Sequence, residues 1–163
     1  MKKHFIFPLL LAVVFSLPAQ AQSEQDEVRE VINRLFNGME MGDSAKVRSA
    51  FASQITMSTI TRDKNNVPVI RHESSMAGFL KAIGTPHPEV LYEEIWDVKI
   101  QIDGNFAQAS CDYAFYVGNK FSHCGVDAFH LFKGKDGWKI FHLADTRRKD
   151  NCVIPADIQA KHK

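Results

Sequence analysis

The chain has 163 residues, with 20 Lys and Arg against 19 Asp and Glu, so its formal charge at neutral pH is only +1. This balance excludes the large basic surface that binding to nucleic acid or to an anionic membrane requires. Hydrophobic residues make up 45% of the chain, which is enough for one globular domain with a core of its own.

The first 21 residues have the features of a secretory signal peptide. Two lysines precede an apolar run over residues 5–17, and the segment ends in "AQA", the small-x-small pattern that signal peptidases cleave. A membrane anchor is the weaker alternative, because the run is shorter than the roughly 20 residues of a spanning helix. We therefore predict a mature chain that begins near Gln22, is periplasmic or secreted, and does not bind a membrane.

The segment after this leader predicts three helices and a hairpin. Ser23 and Asp26 form a capping box before an amphipathic pattern, Val28, Val31, Ile32, Leu35, Phe36 and Met39. Gly42 is suited to end that helix in the left-handed conformation, and Asp43 to cap a second helix. A hairpin with strands at 55–60 and 67–70 follows, then a third helix with Met76, Phe79, Leu80 and Ile83 on its inner face.

From Val90 onward the apolar period changes from 3.6 to 2. Turn signals at 103–104, 118–119 and 134–137 divide this part into four long antiparallel strands, which run to about Arg148. Residues 22–150 are therefore predicted to form an α+β domain, with three helices packed on one face of a curved antiparallel sheet. The C-terminal tail, residues 151–163, is expected to be loosely held.

Centring the turns on 103–104, 118–119 and 135–136 predicts which side chains share a face of the sheet. The face toward the helices is expected to have a polar end with Cys111 and Cys124 in it, formed by Glu94, Trp96, Tyr113, Asp145 and Arg147. The outer face is expected to be mostly polar, with one apolar cluster of Phe129, Leu131, Trp138 and Ile140. Such a cluster is too large to leave in water, so we predict a homodimer through the outer face.

The polar end is the predicted ligand pocket. An arginine beside carboxylates under an aromatic wall can orient a small anionic or carbonyl-bearing ligand, and the neighbouring apolar rows can hold its body. The alternative is that Asp145 and Arg147 pair with each other, or with Glu94, and only close the rim. A β-bulge near Glu93, where the alternation slips, would move Glu94 off this face.

Two other candidates contain histidine. His130 is predicted to face the interior between Ala107 and Phe141, either as a core residue with one hydrogen bond or as an acid–base group. Asp127 and His142 are expected on the outer face, where they form either part of a general base or, more simply, a surface pair. The remaining histidines lack ligand spacing, so no metal and no cofactor are predicted.

The three cysteines, Cys111, Cys124 and Cys152, allow one disulfide and leave one thiol, and their pairing stays open. Cys111 and Cys124 are predicted to lie one diagonal apart on the same face, which is slightly too far for a bond unless a bulge shifts one strand. The alternative is a reactive thiol beside Arg147.

The helix ending in "NGMEMGDSAKVRSAF", the short hairpin, the third helix and a sheet closing on "DGWKIFHLADTRR" resemble the nuclear-transport-factor-two-like superfamily. Within it the chain is most similar to exported SnoaL-like, or putative lumazine-binding, proteins. The resemblance implies a cone-shaped, cystatin-like roll in which a strongly bent sheet wraps a long helix and leaves a pocket at its open end, usually in a homodimer. Members include ketosteroid isomerase, scytalone dehydratase, polyketide cyclases and many domains without catalytic activity.

The match to ketosteroid isomerase fails at the catalytic positions. With the shared Gly-Asp aligned on Gly42-Asp43, Leu35 stands where that enzyme keeps its oxyanion-stabilising tyrosine and Thr59 where it keeps its aspartate base. Leucine donates no hydrogen bond, and a threonine hydroxyl is a very poor base near neutral pH. The resemblance therefore does not imply steroid isomerisation, and the word lumazine supplies no ligand.

The function predicted from the sequence is binding of a small hydrophobic or amphipathic molecule between sheet and helices. The first alternative is an acid/base isomerase, dehydratase or hydrolase of a small carbonyl compound, with Asp145 or His130 as base and Tyr113 or Arg147 at the oxyanion. The second is a non-catalytic protein-interaction module whose pocket is filled by its own side chains.

Overall fold

The computed structural model describes residues 18–73 and 75–163, with side chains from Ser23 onward. Most of the predicted signal peptide, residues 1–17, lies outside the described residues. The helices are α1 (Pro18–Glu40), α2 (Ser44–Ala50), α3 (Met76–Gly84) and α4 (Ala156–Lys161). The strands are β1 (Phe51–Arg62), β2 (Pro68–His72), β3 (Leu91–Asp103), β4 (Phe106–Val117), β5 (Lys120–Gly134) and β6 (Gly137–Thr146).

The strands form one curved sheet in the order β2-β1-β6-β5-β4-β3, with α1, α2 and α3 packed on its inner face. The predicted α+β architecture is confirmed. One pairing differs from the predicted all-antiparallel sheet, because β1 runs parallel to β6. That arrangement places β1 directly beside the strand that carries Asp145.

The helix boundaries follow the predicted caps at one end of α1 and not at the other. Gly42 has φ +64° after α1, and the Asp43 side chain accepts the Lys46 backbone N–H at 2.9 Å to cap α2. The N-cap predicted at Ser23 is wrong, since α1 already begins at Pro18. Alanine and glutamine between these residues favour a helix, and proline is tolerated in a first turn.

The predicted register is wrong in β3, β5 and β6, because each strand contains a β-bulge. The bulges lie at Asp97 (φ +51°), at Ser122 and at Phe141, and the first hairpin turn is centred one residue later than predicted. A one-residue shift exchanges the two faces of a strand. Five residues expected outside therefore lie on the inner face: Asp127, Phe129, Leu131, Trp138 and Ile140.

The C-terminal segment is not loosely held. Cys152 forms a disulfide with Cys124, and α4 lies against the outer face of β3 and β4. Ile158 on α4 is only 5% exposed and packs in one cluster with Tyr116 and Trp96. The outer aromatic side chains of the sheet thus provide an apolar partner for this tail.

Within the described residues, no helix combines the length and the apolar character needed to cross a membrane.

Candidate functional site

A cavity of about 320 Å³, the inner cavity, lies between the inner face of the sheet and helices α1 and α3. Its wall is mostly apolar, with Leu35, Phe36, Met39, Phe79, Phe115 and Leu143. Its polar end contains Glu93, Tyr113, Asp127, Asp145 and Arg147. A cleft of about 540 Å³ beside β1 and β2 shares Phe79, Leu143, Asp145 and Arg147 with it, so the inner cavity opens to the surface there.

Asp145 accepts hydrogen bonds from two side chains and lies close to a third. Arg147 Nε donates to its Oδ2 at 2.7 Å, and the Tyr113 hydroxyl, which also donates to the Thr146 carbonyl at 2.9 Å, lies 3.3 Å from the same oxygen. Thr59 donates to Oδ1 at 2.6 Å across the parallel β1–β6 pairing. Both oxygens are therefore already engaged, which makes Asp145 a fixed acceptor and a poor free base.

Glu93 and Asp127 form a carboxyl pair in the same cavity. Asp127 is 3% exposed and hydrogen-bonded to Glu93, with Cys111 Sγ 3.9 Å from its Oδ2. Burial, followed by repulsion from Asp145, raises the pKa of Glu93 to about 7. Burial, followed by repulsion from Glu93 and Asp145, raises the pKa of Asp127 well above its ordinary value.

A hydrogen bond between two carboxyl groups requires one of them to carry a proton. Burial and mutual repulsion raise the pKa of both groups, so the proton that they share stays on one of the two carboxyls. At neutral pH the pair therefore holds at least one proton inside the cavity.

Two ring side chains complete the polar end as neutral groups. Burial raises the pKa of the Tyr113 phenol, and Asp145 raises it further. Burial, with Arg147 nearby, lowers the pKa of His123 to about 4, and its ring stacks on Phe115 at 5.1 Å. Both rings are therefore uncharged at neutral pH.

The family model described as "Putative lumazine-binding" matches residues 23–142. The chain belongs to this family. A search of the curated proteins found no significant match. The chain is also similar to solved structures of the same fold, at sequence identities of 12% to 22% for three of them.

An NTF2-like protein of unknown function from Shewanella baltica is 22% identical, with TM-score 0.58, over 79% of this chain and 97% of that one. An NTF2-like protein with a cystatin-like fold from Novosphingobium aromaticivorans is 12% identical, with TM-score 0.64, over 82% and 87%. A "Putative Scytalone Dehydratase" from the same organism is 12% identical, with TM-score 0.62, over 83% and 93%. These similarities confirm the nuclear-transport-factor-two-like, cystatin-like fold.

In this family member, three of the five predicted ligand-binding residues reach the inner cavity: Tyr113, Asp145 and Arg147. Glu94 and Trp96 do not, because the bulge at Asp97 turns them to the outer face. Glu94 pairs there with Lys161 at 2.7 Å and with His162 at 3.1 Å, and Trp96 packs under the C-terminal segment.

The histidine candidates are also displaced. His130 lies on the outer face beside the rings of Phe106 and His142, and not between Ala107 and Phe141 in the core. Asp127 and His142 are on opposite faces, so their predicted pair does not form. His142 instead lies 2.6 Å from the Thr56 hydroxyl through its Nδ1.

Sequence reasoning missed Glu93, Asp127 and His123 as cavity residues. For Glu93 the signal was the break in the apolar–polar alternation beside it, which indicates a β-bulge. For Asp127 the signal was side-chain size, since Phe129 and Leu131 share its parity and are bulkier than Ala128 and His130. The bulkier set belongs in the core, and it carries Asp127 inward with it.

No group of three or more His, Cys, Asp or Glu side chains within residues 18–73 and 75–163 is arranged to hold a metal ion.

Proposed function

We propose that this protein binds a small, uncharged, mostly apolar molecule that carries a hydroxyl or similar hydrogen-bonding group. The observation that carries the proposal is the inner cavity, whose apolar wall closes on a hydrogen-bonded carboxyl cluster. A volume of about 320 Å³ is within the range of small-molecule sites. The inner cavity is open to the surface, which argues against a protein-interaction module whose pocket is filled by its own side chains.

The charges at the polar end argue against the anionic ligand expected from the sequence. Three carboxyl groups face one guanidinium, and Arg147 is already bonded to Asp145 at 2.7 Å. An anion would be repelled by Asp145 and by ionised Glu93. A ligand hydroxyl, by contrast, can donate to Glu93 without a charge penalty.

The binding proposal is tested by closing the cavity. Ala82 on α3 is an exposed residue that lines the inner cavity, whereas Ala77 on the same helix is exposed and does not line it. We expect Ala82→Trp to reduce the binding of Nile red, a neutral dye, at least tenfold and Ala77→Trp to leave it unchanged. Equal binding by wild type and both variants, or none by wild type, would contradict the proposal.

Acid–base chemistry is the second candidate function, favoured by the cavity position of Glu93 and by its pKa of about 7. Glu93 would remove a proton from carbon beside a ligand carbonyl and later return it. The enolate oxygen would accept a hydrogen bond from the Tyr113 hydroxyl, which would turn to it from the Thr146 carbonyl. Glu93 therefore takes the role of base that the sequence assigned to Asp145 or His130, because the Asp145 oxygens are engaged and His130 faces outward.

This chemistry is measured by NMR as deuterium exchange into small ketones in D2O. We expect Glu93→Gln to abolish exchange catalysed by wild type, and Glu89→Gln, at an exposed position, to retain it. Wild type without exchange would leave binding alone as the function.

We also propose that the mature protein is exported, on the basis of the N-terminal sequence and the Cys124–Cys152 disulfide, which an oxidising compartment favours. N-terminal sequencing of protein released by osmotic shock is expected to begin at Gln22. Full-length protein retained in the cytoplasm would contradict export.

A further inference from the structure

A second cavity, of about 500 Å³, lies between α1, β3 and the C-terminal segment. We call it the tail cavity. We propose that it is a separate site for an uncharged polyhydroxylated molecule of the sugar or sugar-alcohol class. The proposal rests on the side chains of the tail cavity and does not require a ligand in the inner cavity.

The lining of the tail cavity is polar and rich in amides. Asn33 and Asn37, one turn apart on α1, present their side chains on one wall, and Asn119 from the β4–β5 turn presents a third amide. Asn33 is half-buried and Asn37 is exposed, so both side-chain amides are accessible to a ligand. Each amide offers two donors and one acceptor group, the complement that neighbouring hydroxyls require.

The carboxylates of the tail cavity disfavour an anionic ligand. Glu94 is already paired with Lys161 at 2.7 Å and contacts His162 at 3.1 Å. Glu93 shares a hydrogen bond with Asp127. Glu40 also lies beside Lys161, so the carboxyl groups of the lining outnumber its lysine and an anion is repelled. Uncharged hydroxyl groups can donate to these carboxylates without adding charge.

The C-terminal segment holds one wall of the tail cavity in place. His162 has a side chain only 4% exposed, stacks on Tyr116 with ring centroids 3.9 Å apart, and donates from Nε2 to Glu94 Oε1 at 3.1 Å. Its buried Nδ1 has no hydrogen-bond partner within the described residues. Tyr92 adds an aromatic face to the same wall, and such faces pack against the C–H groups of sugars.

The test uses a panel of glucose, ribose, sorbitol and glycerol with saturation-transfer NMR, which detects millimolar binding. We expect at least one of the larger polyols to bind wild type. The double variant Asn33→Ala and Asn37→Ala should weaken it about tenfold or more, the loss expected for two hydrogen bonds. Asn65→Ala, an exposed asparagine in the β1–β2 loop, is the matched control and should bind as wild type does.

The Ala82→Trp variant distinguishes binding in the inner cavity from binding in the tail cavity, because Ala82 lines only the inner cavity. Polyol binding that survives Ala82→Trp and is lost in the double variant supports the tail cavity. Binding lost in Ala82→Trp would assign the polyol to the inner cavity and overturn the proposal. The proposal would also be overturned if wild type bound no member of the panel, since the tail cavity would then hold only solvent. Thermal melting of each variant establishes that it is folded.

Discussion

At the scale of single residues, the polar end is defined by one carboxylate and one carboxyl pair with different environments. Asp145 accepts hydrogen bonds from Arg147 and Thr59 and serves as a fixed acceptor. Glu93 and Asp127 share a proton in a site where burial disfavours charge. Asp145 supplies a fixed hydrogen-bond acceptor, and the pair supplies a group able to exchange a proton near neutral pH.

The raised pKa of Glu93 has a consequence for stability. The folded protein holds this proton up to about pH 7, whereas an ordinary glutamate releases it near 4.5. The free energy of unfolding should therefore fall as pH rises through this window, by about 3 kcal/mol at most. Glu93→Gln should remove that share of the pH dependence and be more stable than wild type above pH 7.

Urea unfolding between pH 4 and pH 8 measures this effect. Glu89→Gln, at an exposed position, should keep the slope of wild type. An unchanged slope in Glu93→Gln would show that Glu93 ionises normally in the folded state.

Gly125 is required by its neighbours. A Cβ at this position would lie 1.8 Å from the Thr146 carbonyl oxygen and 2.6 Å from Tyr113 Cε1. Neither the strand nor the packed ring can move aside, so Gly125→Ala should lower the free energy of unfolding by about 3 kcal/mol or more. A Cβ at Gly78, in α3, would lie 3.4 Å from its nearest atom, so Gly78→Ala should leave the free energy of unfolding unchanged or raise it. Chemical denaturation measures the free energy of unfolding of both variants. Equal values for Gly125→Ala and Gly78→Ala would contradict the close approach of Thr146 and Tyr113 to Gly125.

At the scale of elements, three β-bulges determine which residues reach the inner cavity. The bulge at Asp97 brings Glu93 inward and sends Glu94 outward, and the bulge at Ser122 brings Asp127 and His123 inward. A bulge has little local sequence signal because it depends on how the two strands of a pair match in three dimensions. The elements and the inner face of β4 could be predicted from periodicity. The faces of β5, of β3 before Asp97 and of β6 before Phe141 could not.

The C-terminal segment is the second element that sequence reasoning underestimated. The Cys124–Cys152 disulfide closes a loop with sequence separation 28, for which chain entropy predicts about 3.5 kcal/mol of stabilisation. Cys152→Ser should lose about that much and shift Trp96 fluorescence toward that of a solvated indole. Wild type in reductant should behave as the variant does, and the variant should not respond to reductant. A reductant-sensitive variant would contradict the assigned pairing.

At the scale of the whole molecule, the predicted homodimer needs a new basis. Its original basis was an outward cluster of Phe129, Leu131, Trp138 and Ile140, and the structure buries all four. The outer face instead carries an aromatic patch near the β5–β6 hairpin. It consists of Phe106, His130, Phe132 and Phe141.

Phe106 and Phe132 are 38% and 41% exposed, so the homodimer remains a prediction through this patch. We expect light scattering to find a dimer that Phe132→Asp dissociates. Val67→Asp, at a 52% exposed position on the β1–β2 loop, should leave the dimer intact. A monomeric wild type would contradict the prediction.

The sequence by itself determined the order of helices and strands, the caps at Gly42 and Asp43, and the inward position of Tyr113, Asp145 and Arg147. These features depend on local periodicity and turn chemistry, which neighbouring residues along the chain supply. Only the tertiary structure decided that Glu93 and Asp127 meet, that Cys124 pairs with Cys152, and that the tail packs on the sheet. Each of these depends on strand register and long-range contact, and a single bulged residue reverses the face of everything beyond it.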